Sequence, residues 1–366
     1  MGNKAKGRKI LIFFMLIQCM CISYYISKTG IKQGTEISVV GNITGLKVEA
    51  TVLNDSVSLR GRSTPINMPT NSSPLLVIFT TFHNSAERFH VQMNTLMNWA
   101  QYAPQVKPVL FLVDPVDKSE YTQRANELGW DVFQVPATNK HGLPFLKPMY
   151  TKIMDTYNAT FYAYSNGDII YDIGLVKTLE FLKSNLSGSA GPGTLIVGRR
   201  INYFNNHSLN ILYKSEDVHE LGITREPHVA AAVDYFIIKG HGYPFDKLPN
   251  FVIGRVAYDN FMVSLALESG LIGVDITATA VALHQNIHRK IGDGRWAERS
   301  LFNMEMIKRS TYKSNYNIGK IDMVPYFTYF NNQSEKIDKG IREKQLSHQR
   351  SLSGRRRGSR GHHVRA

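Results

Sequence analysis

The chain has 366 residues, 43% of them hydrophobic, with 43 Lys and Arg against 29 Asp and Glu and a formal net charge of +14. That apolar content excludes a mostly disordered or collagen-like chain, and the length supplies material for one large core or two small ones. The charge sits at the ends: Lys4, Lys6, Arg8 and Lys9 carry four of the surplus, the segment from Gly340 onward carries seven, and three remain over residues 10–339. A nearly balanced globular part offers no basic surface for a duplex, so no nucleic-acid partner is expected. The two cysteines, Cys19 and Cys21, both lie in the first apolar run. Everything after it can hold neither a disulfide nor a cysteine-based zinc site.

In chain order, residues 1–9 read as a basic cytoplasmic tail and residues 10–26, ILIFFMLIQCMCISYYI, as a transmembrane signal-anchor. A helix over this uncharged run spans about 26 Å, near the thickness of an early secretory membrane. The basic flank places the N-terminus in the cytoplasm and the remainder in the lumen. A cleaved signal peptide is the alternative, with Cys21-Ile22-Ser23 as its cleavage site, but Tyr24, Tyr25 and Lys28 form an interface belt that favours the anchor. Seven Asn-x-Ser/Thr acceptors, at Asn42, Asn54, Asn71, Asn158, Asn185, Asn206 and Asn332, support a lumenal chain. The expected location is a Golgi or ER membrane, single-pass type II.

Residues 27–74 are polar, rich in Gly, Ser, Thr and Asn, and weakly patterned, as a stem or linker is. From Leu75 the texture changes. LLVIFTTF (75–82), KPVLFLVD (107–114) and WDVFQVP (130–136) are short apolar runs suited to buried strands. Helical spacing at Phe89, Met93, Leu96 and Met97, and again over Tyr121–Leu128, separates them. Strand, helix, strand, helix, strand is the signature of an α/β layer with a mostly parallel sheet. Further strands are expected at FYAYS (161–165), GTLIVG (193–198), VDYFII (233–238) and GVDITATAVALH (273–284), within one domain over residues 75–331. Residues 332–366 are basic and are expected to be disordered.

Open α/β sheets bind ligands beyond the carboxyl ends of their strands, so the polar residues there are the candidates. They are Thr80 and Thr81, Asp114, Asn166 and Asp168, Arg199 and Arg200, Asp259 and His284. Each has a plainer reading. In Asn166-Gly167-Asp168 the carboxylate either holds a hard cation against a diphosphate or ends a strand at an Asn-Gly turn. Asp259, before the apolar helical stretch Phe261–Leu267, is either a general base or a helix cap. His284 is either a metal ligand or a hydrogen-bonded structural histidine. Arg199 and Arg200 either neutralise a pyrophosphate or are a solvated pair. The Gly-rich segment 187–193 fits no phosphate-loop pattern, and His284 with His288 lacks the HExxH context of a zinc protease.

Taken in order, YSNGD (164–168), AYDN (257–260) and ALHQ (282–285) resemble the GT-A glycosyltransferases of the nucleotide-diphospho-sugar transferase superfamily over roughly residues 75–330. That family has a DxD-type metal motif ending a middle strand, an acidic xED motif at a later helix start, and often a terminal metal-binding histidine. The chain departs from it in having Asn166 for the first Asp and a single acid in AYDN. The resemblance implies that Asp168 and His284 hold Mn²⁺ or Mg²⁺, and that Asn166, Arg199 and Arg200 contact the donor phosphates. It implies further that Thr80, Thr81 and Asp114 meet the nucleotide, and that Asp259 is the base of an inverting transfer. The partners implied are a nucleotide-sugar donor and a glycan, protein or lipid acceptor, with the membrane engaged through the N-terminal helix. The alternative is a catalytically inactive lumenal nucleotide-sugar or glycan-binding protein on the same fold. A sulfotransferase needs a basic phosphate loop after the first strand, and FTTFHNSAERFH has no Lys there. A structural membrane protein without a site leaves the polar strand ends unexplained.

Overall fold

The computed structural model describes three strands within residues 38–61 and, apart from 83–85, 114–119, 187–192, 205–211, 288–298, 311, 313, 315–317 and 335, residues 73–359. The chain divides into two compact units, Met1–Ser72 and Ser73–Ala366. The run 10–26, expected as the anchor, lies outside the described residues. Among the described residues no helix is long and apolar enough to cross a membrane.

The first unit holds an antiparallel meander of β1 (Ser38–Ile43), β2 (Leu46–Leu53) and β3 (Ser56–Gly61). Part of the stretch 27–74, expected as a weakly patterned stem or linker, thus carries regular strands. Val48, Ala50 and Val52 alternate with Lys47, Glu49 and Thr51, the period-two pattern of a strand.

The second unit begins with β4 (Leu76–Thr81), α1 (Phe89–Ala100), β5 (Val106–Leu112), α2 (Glu120–Glu127), β6 (Asp131–Gln134), α3 (Leu146–Thr156), β7 (Phe161–Ser165) and β8 (Ile169–Tyr171). It continues with α4 (Gly174–Asn185), β9 (Thr194–Val197), β10 (Ile201–Phe204), α5 (Ser215–Ile223), β11 (Tyr235–Lys239), α6 (Tyr258–Glu268), β12 (Ile272–Asp275) and β13 (Ala282–Asn286). It closes with α7 (Phe302–Arg309), β14 (Tyr326–Asn331), β15 (Lys336–Ile341) and α8 (Glu343–Ser359).

A nine-stranded sheet runs β15-β14-β12-β9-β11-β7-β4-β5-β6. It is parallel except for β11, antiparallel to both its neighbours, and the edge strand β15. This is the mixed, mostly parallel sheet expected from the sequence. Side chains along β4 alternate between two cores, as a strand covered on both faces requires. Val77 and Phe79 pack with Met149 and Tyr150 of α3 and Phe261 and Leu265 of α6. Leu76 and Ile78 pack with Leu96 and Trp99 of α1 and Leu175 and Leu179 of α4.

Beside this sheet lies a small one, β10-β13-β8. The single strand expected over 273–284 is therefore two strands in different sheets. The break is chemical: the Asp275 carboxylate accepts the Thr277 amide at 2.9 Å, an Asx turn that ends β12.

Over its described residues, which reach Ser359, the segment after Asn331 is also not the disordered tail expected over 332–366. β15 pairs with β14 from Tyr326↔Ile341 to Asn331↔Lys336. Gln349 of α8 donates from Nε2 to the Leu267 and Leu271 carbonyls at 3.2 and 2.6 Å. Arg342 donates from Nη2 to Asp275 Oδ2 at 2.7 Å, and Asp275's side chain is only 7% exposed. Backbone pairing and one ion pair, rather than apolar content, dock this basic segment. Arg342→Ala strands that enclosed carboxylate and is expected to lower unfolding stability by about 2 kcal/mol, less than a fully buried pair because Arg342 keeps some solvent. Urea denaturation checks it: an unchanged midpoint means the tail adds nothing to the fold.

Candidate functional site

The site forms where β7 ends. The Ile169 amide donates to the Asn166 carbonyl at 3.2 Å and closes a turn over Asn166-Gly167-Asp168. Gly167 is not held in the left-handed region, so its role here is space. A Cβ on it would lie 2.8 Å from the Phe82 ring and 3.2 Å from Thr80 Oγ1. The chain then enters β8, which pairs antiparallel with β13 so that Ile169 faces His284, and the Gln285 amide donates to the Asp168 carbonyl at 3.0 Å. This ladder sets two distant residues side by side, with His284 Nε2 3.3 Å from Asp168 Oδ2. Arg88, the residue before α1, places Nη1 3.7 Å from the same oxygen. Asp168 Oδ1 and His284 Nδ1 are enclosed without a hydrogen-bond partner. Burial pushes the Asp168 carboxyl up, but His284, Arg88 and Arg200 outweigh it and hold it at about 2. It is therefore ionised at neutral pH, the state a hard cation requires.

Asn166 faces elsewhere. Its Oδ1 accepts the Tyr164 hydroxyl at 3.0 Å and the Tyr258 hydroxyl at 3.5 Å. Its Nδ2 donates to Asp234 Oδ1 at 2.8 Å. Its oxygen and one of its two N–H donors are thus taken by the cluster's own groups, which leaves a single amide hydrogen for a donor phosphate. Asp234 also takes Arg200 Nη1 at 2.7 and 2.9 Å. Arg200 is thus neither solvated nor a free phosphate clamp; from its place on Asp234 it contributes positive field at Asp168. Its Nε donates to Asn202 at 3.0 Å, and Asn202 Nδ2 lies 3.2 Å from His228 Nδ1. Arg199 is half-buried, and its amide donates to Thr277 Oγ1 at 2.8 Å. Thr80 is fully buried and its hydroxyl points to the Thr81 carbonyl at 3.5 Å, so it cannot meet a nucleotide; Thr81 itself is half-buried. Asp114 lies outside the described residues.

Asp259 sits in the first turn of α6, but it is not the cap. The cap position is Ala257, with φ 82°, and no side chain caps the helix. Asp259 Oδ1 is enclosed without a partner. Burial pushes its carboxyl up, and the charge of Asp234 adds to this. The backbone amides of Asn260, Asp259 and Ala257 pull the other way and leave it at about 6. The other acid of α6, Glu268, accepts the Tyr312 hydroxyl at 3.1 Å at the far end of the helix.

Arg88, Asn202 and His228 belong to this cluster and carry no sequence signal, since no motif ties them to Asp168, whereas Tyr164 and Tyr258 stand inside YSNGD and AYDN without being marked as candidates. Among the described residues no three ligating side chains converge. Asp168 and His284 supply one oxygen and one nitrogen, which suits an ion held mainly by phosphate oxygens and water.

No family model matches the chain, and no curated protein does. Solved structures similar in part include TarS 1–349 of S. aureus in complex with UDP-GlcNAc, 12% identical over 37% of this chain and 36% of that one, with a TM-score of 0.26. A mannosyltransferase, PcManGT of Pyrobaculum calidifontis, in complex with GDP-Man and Mn²⁺, is 9% identical over 60% of this chain and 59% of that one, TM-score 0.33. Glucosyl-3-phosphoglycerate synthase of Mycobacterium tuberculosis, with Mn²⁺, UDP and glucosyl-3-phosphoglycerate, is 10% identical over 58% of this chain and 73% of that one, TM-score 0.31. Likeness at these scores carries no weight for fold or chemistry, which rest on the topology and side chains above.

The Asp259 carboxyl gives a substrate-free prediction. Its folded value of about 6 against an ordinary 3.8 means that the folded state binds this proton more tightly than the unfolded one. Stability is then lost as pH rises from about 4 through about 6. Asp259→Asn removes that loss, so the variant is expected to melt above the wild type at pH 8, with the gain vanishing toward pH 4. A melting difference that does not change with pH refutes the enclosed carboxyl.

Proposed function

We propose that this chain is a metal-dependent glycosyltransferase that moves a sugar from a nucleotide-sugar donor to a hydroxyl of a glycan, protein or lipid acceptor, with inversion. The observation that carries the reading is the pairing of Asp168 with His284 at the carboxyl end of β7, where an open sheet receives its ligand. Asp168 and His284 would hold Mn²⁺ or Mg²⁺ against the donor diphosphate, and the ion, when bound, neutralises charge on the leaving group. Arg88 and Arg200 add positive field on the same side. Asp259, ionised above about pH 6, takes the proton of the acceptor hydroxyl as its oxygen attacks the anomeric carbon. One base and one displacement invert the anomeric centre.

We place the domain in the lumen of the Golgi or ER, behind a type II anchor over residues 10–26. The acceptor asparagines Asn158, Asn185 and Asn332 are exposed, as glycosylation there requires. The second reading, an inactive nucleotide-sugar or glycan-binding protein, is favoured by one observation: Asn166 is committed to Asp234, so the metal motif offers a single carboxylate.

Calorimetry with UDP and GDP, with Mn²⁺ or with EDTA, tests the reading. Nucleotide binding is expected to need the metal and to weaken at least tenfold in Asp168→Ala. Binding unaffected by EDTA or by Asp168→Ala removes the proposed site. Metal-dependent binding with no hydrolysis of any nucleotide sugar in a panel supports the inactive reading. Where hydrolysis occurs, kcat/KM is expected to fall below about pH 6, and Asp259→Asn to cost about 10²–10⁴ in rate with donor binding kept.

A further inference from the structure

We propose that Asn303 is a positioning residue for Asp259, holding the loop that aims the start of α6; this rests on the reading of Asp259 as the base. Asn303 lies on α7 and is fully buried. Its Oδ1 accepts the Val252 amide at 2.9 Å, and its Nδ2 donates to the Val252 carbonyl at 2.9 Å and the Arg255 carbonyl at 3.4 Å. A primary amide facing the N–H and C=O of one residue does the work of a neighbouring strand. The opposite edge of the loop is pinned as well. Val252 bridges Phe145, the Ile253 amide donates to the Pro144 carbonyl at 3.1 Å, and the Leu146 amide donates to the Phe251 carbonyl at 2.9 Å.

Between this doubly held segment and α6 the chain must turn within a few residues. It does so through Gly254 at φ 69° and Ala257 at φ 82°. Glycine adopts that region freely, whereas a buried alanine adopts it only where its surroundings impose it. Asn303 supplies part of that imposition, because its bonds fix Val252 and Arg255 and leave the turn to the residues just before Tyr258. On the helix side, Asn260 Nδ2 donates to the Ala231 and Gly319 carbonyls at 3.0 and 2.8 Å, so the first turn of α6 is docked too. The carboxyl between these two holds meets Asp234 beyond the start of the helix, Tyr258 beside it, and the backbone amides of α6; Arg200 and Tyr164 stand behind Asp234 and Tyr258. None of the hydrogen bonds of Asn303 reaches these groups. Removing its amide therefore acts on Asp259 only through the loop.

The test uses the full-length protein and begins without substrate. The stabilising effect of Asp259→Asn at pH 8 is measured by thermal melting in the wild type and in Asn303→Ala. Loosening the loop admits water to the carboxyl, so the gain is expected to fall to less than half in the Asn303→Ala background. Ala257→Gly, added to Asn303→Ala, lets the backbone take φ 82° without being forced and is expected to restore most of it. With the most readily hydrolysed of a panel of UDP- and GDP-sugars, Asn303→Ala is expected to lower kcat at least tenfold with KM within twofold, and to move the acid limb of the rate profile down from about pH 6.

An undiminished pH-dependent gain, or a loss of kcat that only tracks the folded fraction with the acid limb unmoved, overturns the proposal. Should Asn303→Ala not fold, Asn303→Gln, which keeps the amide but is one methylene longer, is read in the same way. Failure of the base reading is separate: near-normal turnover in Asp259→Asn removes Asp259 as base, whatever Asn303 does to the loop.

Discussion

The antiparallel pairing of β8 with β13 is the constraint on which the site depends. Neither strand belongs to the main sheet, and together with β10 they form a three-stranded sheet beside it. Their register sets Ile169 opposite His284 and so puts the imidazole against the carboxylate of the preceding residue. The pairing is locked behind β8 by Asp172, which is buried. It accepts the Gly174 and Val281 amides, both at 3.0 Å, and lies 2.8 Å from His219 Nδ1. Burial pushes the Asp172 carboxyl up against the pull of these partners. One carboxylate thereby joins the start of α4, the approach to β13 and α5, the three elements that border the small sheet. A shift of β13 by one residue would turn His284 to the other face and present Leu283 or Gln285 in its place.

Two carboxylates in the cluster are driven in opposite directions by their surroundings. Cationic neighbours hold Asp168 at about 2, whereas burial and the nearby charge of Asp234 lift Asp259 to about 6. Such a split separates the two by environment, since the lower group stays charged at neutral pH and the higher one can exchange a proton near it. Asp234 connects them. Through Asn166 and Arg200 it ties the turn after β7 to the start of β10, and its charge is felt at Asp259.

Much of this was legible in the sequence where burial is two-sided. β4, β5, β7 and β9 read as apolar runs because both of their faces are covered, and Asp168 was marked by standing just after one of them, whereas His284, marked as ending a strand, stands in the middle of β13. What was not legible depends on partners brought from elsewhere in the chain. The run 273–284 looks like one strand because both of its halves are apolar, and only the Asx turn at Asp275 and the move to a second sheet divide it. Asn166 looks like a ligand because its partner Asp234 lies on another strand approach. Thr80 looks accessible at a strand end, but it is fully buried, with Gly167 set close to its hydroxyl. The basic tail reads as solvated because its docking uses backbone hydrogen bonds and a buried aspartate rather than apolar side chains.

The central claim is that Asp168 and His284 act together on a metal-bound nucleotide. Pulsed electron paramagnetic resonance of Mn²⁺ added to the protein with UDP tests it most directly, because nitrogen coupling to Mn²⁺ reports an imidazole in the first coordination shell. The account predicts a nitrogen coupling that is present with UDP and lost in His284→Gln. Mn²⁺ held with UDP but showing no nitrogen coupling, or a coupling unchanged by His284→Gln, would contradict it.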